Sequence, residues 1–175
     1  MLEFDPVDRV TADAIGEPGQ REFFIQARMG SEVVSVLVEK QQVQLLAASV
    51  LEVLARADAE TDIASVDAGD TLALEEPVET RWRVGRLSIG YEEQRDMILL
   101  ELDELLDDDQ GEEDERERDH VRLWATREQM LALAQHGAEV CERGRPLCEL
   151  CGNPKDPTGH ACPATNGHKK PTTIT

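Results

Sequence analysis

The chain has 175 residues, and its 37 acids against 18 Lys and Arg leave a net charge of −19. That length suits one compact domain with a small appendage, and the 40% hydrophobic content supports a core that the 3% aromatic content makes aliphatic. No run approaches the roughly 20 apolar residues of a membrane span, no basic-then-apolar signal peptide opens the chain, and the charge argues against nucleic acid or an anionic bilayer as partner for the acidic body.

Val7–Ala14 reads as a strand, followed by Gly16-Glu17-Pro18-Gly19, a turn signal because Pro fixes φ and Gly permits positive φ. Arg21–Met29 and Glu32–Val38 are β-branched or aromatic runs joined at Met29-Gly30-Ser31, which predicts a hairpin. From Glu39 the period changes. Val43, Leu46, Ala47, Val50, Val53, Leu54 and Ala57 fall on one face of a helix of about 18 residues. Asp58–Pro77 reads mostly as loop.

The second half opens at Arg81–Gly90, where Trp82, Val84, Leu87 and Ile89 suggest a strand. Asp96–Leu106 predicts another through Met97, Ile98, Leu99, Leu100 and Leu102, although its Glu-Leu-Asp-Glu-Leu-Leu end also suits a helix. Glu92–Asp119 holds 15 acids and three arginines. Its densest part, Asp107–Asp119, repels itself and buries nothing, so it reads as a solvated loop. His120–Ala125 is the next strand. Thr126-Arg127-Glu128-Gln129 then forms a capping box, with Thr accepting from an orphan amide and Gln reaching back. The helix it starts carries Met130, Leu133, Gly137, Val140 and Cys141 on one face and ends near Gly144. The order ββ(β)α then βββα predicts an α+β fold, an antiparallel sheet with two helices on one face. Residues 1–144 form this body, 145–168 a zinc-knuckle tail, and 169–175 a disordered end.

All four cysteines lie between 141 and 162, where the net charge of residues 141–175 is +2. Cys148-Glu149-Leu150-Cys151 is a knuckle that sets two thiolates on one side of a tight turn, and Gly152 can take the positive φ that aims amides at sulfur. His160-Ala161-Cys162 supplies two more donors. Cys148, Cys151, His160 and Cys162 make a closed set of three thiolates and one imidazole, the composition of a structural zinc site holding one ion per chain. The segment is too poor in apolar residues to fold without a cross-link. A disulfide pair, a redox pair and iron–sulfur ligation are the alternatives. They are weakened by a reducing cytoplasm, by the Gly152-Asn153-Pro154 that follows the pair, and by a fourth ligand that is His. Cys141 sits on the helix stripe as a core residue, and His168 competes with His160 as a ligand.

No phosphate loop and no nucleophile elbow is present. His120 and His136 read as surface or packed residues. Asp5, Asp8, Arg9, Glu17, Gln20, Arg21 and Gln26 form a polar cluster near the first turn. Turn chemistry explains most of it; the sharper reading makes Glu17, Gln20 and Arg21 a recognition edge at which Arg21 pairs an anion. Arg81, Arg83 and Arg86 are the only basic stripe of the acidic body.

Asp8-Arg9, Gly16–Arg21, Phe24, Gln26-Ala27-Arg28, the helix start Glu39-Lys40-Gln41-Gln42-Val43 and the end Cys148-x-x-Cys151-Gly152 … Asp156-Pro157-x-Gly159-His160-x-Cys162-Pro163 … Asn166-Gly167 together resemble an uncharacterised protein family of actinobacteria. The resemblance spans essentially the whole chain and implies a small cytoplasmic protein with a zinc-ribbon-like tail, and no activity. His168 departs from it, standing where an aromatic residue is expected. Two functional readings follow. One is a zinc-containing cytoplasmic adaptor with a protein partner. The other is an enzyme for a small anionic or phosphorylated substrate at the Gly16–Arg21 edge, with nucleic-acid association through the zinc tail as a further variant.

Overall fold

The computed structural model describes residues 1–57, 72–106, 118–155 and 159–164. These form β1 (Leu2–Phe4), β2 (Arg9–Ile15), β3 (Glu22–Met29), β4 (Glu32–Val38), α1 (Lys40–Arg56), β5 (Thr80–Glu92), β6 (Met97–Glu104), β7 (His120–Ala125) and α2 (Arg127–Glu142). Among the described residues there is one seven-stranded sheet, in the order β1-β7-β6-β5-β4-β3-β2.

Two meanders build it. β2, β3 and β4 pair antiparallel, with Met29 opposite Glu32 closing the hairpin, and β5, β6 and β7 repeat the pattern. The sheet is nevertheless mixed rather than wholly antiparallel. β4 and β5 run parallel, and so do β1 and β7. The first parallel pair has a simple cause: α1 returns the chain across the sheet between β4 and β5, so the second meander starts in the direction in which the first ended. β1 adds a three-residue edge whose Leu-Glu-Phe sequence carries no strand signal.

Period-2 burial shows which face is core. In β6 and β7, Ile98, Leu100, Leu102, Val121, Leu123 and Ala125 are buried, while their neighbours in sequence are only partly so. The stretch ending in Glu-Leu-Asp-Glu-Leu-Leu is therefore strand through Glu104. Both helices bury their stripes in this same cluster, Val43, Leu46, Val50 and Leu54 from α1 and Met130, Leu133, Val140 and Cys141 from α2. Each such Leu or Val contributes about 1.5–3 kcal/mol. The α2 capping box is formed as the sequence predicts, with Gln129 N donating to Thr126 Oγ1 and Thr126 N to Gln129 Oε1.

On the opposite face, the segment at 72–75 covers part of β2–β4. Gln26 Nε2 donates to Glu75 O at 3.1 Å while Glu75 N donates to Gln26 Oε1 at 2.8 Å. Thr11 donates to Leu72 O, Arg9 to Ala73 O, and Arg28 Nε to Glu75 Oε1 at 3.0 Å. Thr11, Gln26 and Ser35 are buried yet satisfied, because Ser35 Oγ accepts from Gln26 Nε2. Farther along the sheet this face is a charged ladder, where Glu3 and Glu101 flank Arg122. Residues 107–117, most of the acidic loop, lie outside the described residues, as does the tail from 165.

Gly137 marks where α2 comes closest to its neighbours. A Cβ there would lie 2.9 Å from Val43 Cγ1 and 3.3 Å from Ala12 Cβ. Helix propensity favours Ala over Gly by about 1 kcal/mol in a helix interior. Gly137→Ala is nonetheless expected to lower stability in denaturant unfolding, by about 1–3 kcal/mol, because the stiff Val43 side chain cannot yield. A stabilised variant would mean that the two helices separate freely.

Candidate metal centre

Beyond α2 the chain makes a small turn-rich knuckle. Gly152 N donates to Cys148 O at 2.8 Å and Cys148 N to Asn153 O at 2.8 Å, which folds the Cys-x-x-Cys segment back on itself. Gly152 has φ +73°, the positive value that such a return requires and that a side chain resists. Leu147 and Pro154 then form an isolated antiparallel bridge, and Lys155 N donates to Pro146 O at 2.8 Å.

The knuckle brings Cys148, Cys151, His160 and Cys162 together, with one donor atom of each within 4.8 Å of every other. Cys148 Sγ lies 3.9 Å from Cys162 Sγ, and Cys151 Sγ lies 3.3 Å from His160 Nε2. For metal–sulfur bonds of about 2.3 Å, a tetrahedron has S···S edges of about 3.8 Å, so the first separation is that of two ligands sharing an ion. It is far longer than a disulfide, and all four cysteines are free.

The electrostatics suit a cation. Backbone amides of Cys151 and Leu150 point at Cys148 and hold its thiol below the ordinary range. For Cys151 the Asn153 amide pulls downward, but burial and the nearby Cys162 and Cys148 sulfurs outweigh it and carry the thiol up. Crowded sulfurs resist ionising together, and a bound metal removes that penalty. Cys141 stays apart from this set. It is buried in the core, its Sγ faces Lys40 O at 3.8 Å, and burial raises its pKa. His168 lies outside the described residues.

The polar residues near the first turn do not form one cluster, although Arg9 Nη1 donates to Gln26 Oε1 at 3.3 Å. Arg9 and Gln26 hold the 72–75 segment, Asp5 pairs with Arg95, and Asp8 accepts from Gly30 N at 2.6 Å. Glu17 and Gln20 are exposed on the turn, where Gln20 N donates to Glu17 O at 2.9 Å. Arg21 instead reaches across the molecule, donating from Nη1 to Val140 O of α2 at 2.7 Å and lying 5.0 Å over the Phe23 ring. Arg83 pairs with Glu39 at the start of α1. His120 pairs with Asp103 on β6, and His136 Nε2 sits buried 3.6 Å from Asp13 Oδ1.

Sequence reasoning missed Lys40 and Arg145 as neighbours of Arg21. All three line one cleft between the first turn, the start of α1 and the knuckle. Only the fold brings positions so far apart in sequence to one place.

Residues 2–162 match the model of a family described as protein of unknown function (DUF3090), so the chain belongs to that family. No curated protein and no solved structure matches it.

Gly19 has φ +95°, and a Cβ on it would lie 3.0 Å from Arg145 Cδ. Gly19→Ala is therefore expected to cost about 1 kcal/mol or more in thermal unfolding, through strained backbone and a displaced Arg145. An unchanged melt would show that this turn relaxes without cost.

Proposed function

We propose that this DUF3090 member is a cytoplasmic binding protein whose knuckle is cross-linked by one structural zinc ion on Cys148, Cys151, His160 and Cys162. The observation that carries the reading is the convergence of three sulfurs and one imidazole nitrogen within 4.8 Å in a segment without a core of its own. Among its described residues only Cys162 is buried, so ligation rather than apolar burial must supply the folding free energy. Three thiolates and one imidazole suit zinc, and four protein ligands leave no open position for a substrate or an activated water. Such an ion holds shape and does no chemistry.

What the knuckle presents supports the adaptor role. Leu147 and Leu150 are 66% and 69% exposed, large apolar side chains on a fixed turn. A protein partner is the occupant that this exposure favours, and the net charge of −19 disfavours a nucleic acid on the body. Lys155 is the sole cation between Cys148 and Cys162, too few for the basic and stacking contacts that nucleic acid needs.

Elemental analysis of the full chain is expected to give about one zinc per molecule. Cys151→Ser should abolish that stoichiometry and leave residues from about Arg145 onward exchanging amide hydrogens freely, while the sheet keeps its protection. Metal far below one per chain, removed by a chelator with no change in exchange, would overturn the reading.

A further inference from the structure

The fold carries a second site, whose Arg21 and Lys40 belong to the body rather than to the knuckle. A cleft of about 260 Å³ opens between the first turn, the start of α1 and the chain leaving α2. Three cations line it, Arg21, Lys40 and Arg145, and no carboxylate does among its described lining residues. Glu22 and Glu39 line the adjoining pocket, which shares Arg21 and Lys40 with this one.

Placement of the cations is specific. A Cβ at Gly144 would lie 3.2 Å from Lys40 Nζ and 3.4 Å from Arg21 Nη2, so both nitrogens border the space that the missing side chain leaves open. Arg21 is held there in advance. Its Nη1 is committed to Val140 O at 2.7 Å and its guanidinium stacks over Phe23, which leaves Nη2 for the cleft. Lys40 is the first residue of α1, whose amides are capped by the Glu39 side chain in a capping box with Gln42. No carboxylate among the described residues pairs with Lys40; Glu39 beside it is turned to Arg83. Capping of α2 accounts for Arg21 Nη1 but not for Lys40.

We propose that this cleft binds the phosphate group of a small molecule. Guanidinium Nη2 and ammonium Nζ together match a compact anion with several acceptor oxygens. The volume admits a phosphate with a short carbon skeleton. Pre-positioning of Arg21 reduces the ordering cost of binding.

Titration calorimetry on the purified full chain, with sodium phosphate or glycerol 2-phosphate against sodium chloride at equal ionic strength, tests this. Saturable binding is expected. Lys40→Gln and Arg21→Gln should each weaken it about tenfold or more, as loss of a charge-assisted hydrogen bond does. Arg56→Gln, which removes an exposed pair with Glu52 at the far end of α1, should leave it unchanged. Tighter binding of the ester identifies an esterified ligand, and binding of inorganic phosphate alone identifies the free ion. Arg21→Gln also removes a contact to α2, so Lys40→Gln decides the outcome if that variant folds poorly. Absence of saturable binding by either probe, or wild-type affinity in Lys40→Gln, overturns the proposal.

Discussion

At Gly137 the backbone of α2 passes so near Val43 and Ala12 that there is no room for a methyl group. That contact fixes both helices against one sheet face, and the positions of both sites follow from it. With α2 held there, its last turn reaches the start of α1, where Cys141 Sγ faces Lys40 O at 3.8 Å. The same turn meets the start of β3, where Arg21 takes the Val140 carbonyl. Three distant stretches of chain thus converge at one corner, and the knuckle leaves from it. A looser helix pair would keep the fold class and lose the corner.

Charge is distributed to fit this geometry. The open sheet face spends its charges in pairs, among them Glu3–Arg122, Glu101–Arg122 and His120–Asp103. Such partly exposed pairs contribute only about 0–1 kcal/mol each, so they help to fix register more than they stabilise. The corner is different. α2 has no basic residue in its last turn, and its terminal carbonyls draw Arg21 from another element instead. Lys40 and Arg145 line the cleft beside it, and no carboxylate among the described residues pairs with Lys40.

Much of this was legible in the residues. Thr126-Arg127-Glu128-Gln129 signals the α2 start because a capping box satisfies specific orphan amides, and β7 occupies His120–Ala125 as expected. Val43, Leu46, Ala47, Val50 and Leu54 mark the α1 face through their spacing alone. Local signals were silent where long-range pairing decides. β1 has three residues and gains its identity only from β7, and the parallel β4–β5 pair depends on where a crossover lands. The four Cys and His donors were readable from spacing because a knuckle is a local structure. The cleft was not, since Arg21, Lys40 and Arg145 share no local pattern. Gln26, by contrast, looked like part of a surface cluster and proves to be a buried anchor for the 72–75 segment.

The two sites also meet physically. Gly144 and Arg145 stand in the cleft, and Leu147 and Pro154 form its outer wall while bridging the base of the knuckle. Arg21 and Lys40 belong to the body and are held by its core, whereas Arg145 lies on the chain leaving α2. The outer wall has no such support, because Leu147 is exposed and the Leu147–Pro154 bridge closes the loop that carries Cys148 and Cys151. Ligation at those sulfurs would therefore fix the wall and Arg145, while Arg21 and Lys40 stay where the body holds them. The metal would govern how enclosed the cleft is, and the body whether it attracts an anion at all. Enclosure strengthens a charge-assisted contact by excluding water from it. The knuckle and the cationic corner thus share one wall, and the link runs through the few residues from Gly144 to Cys148.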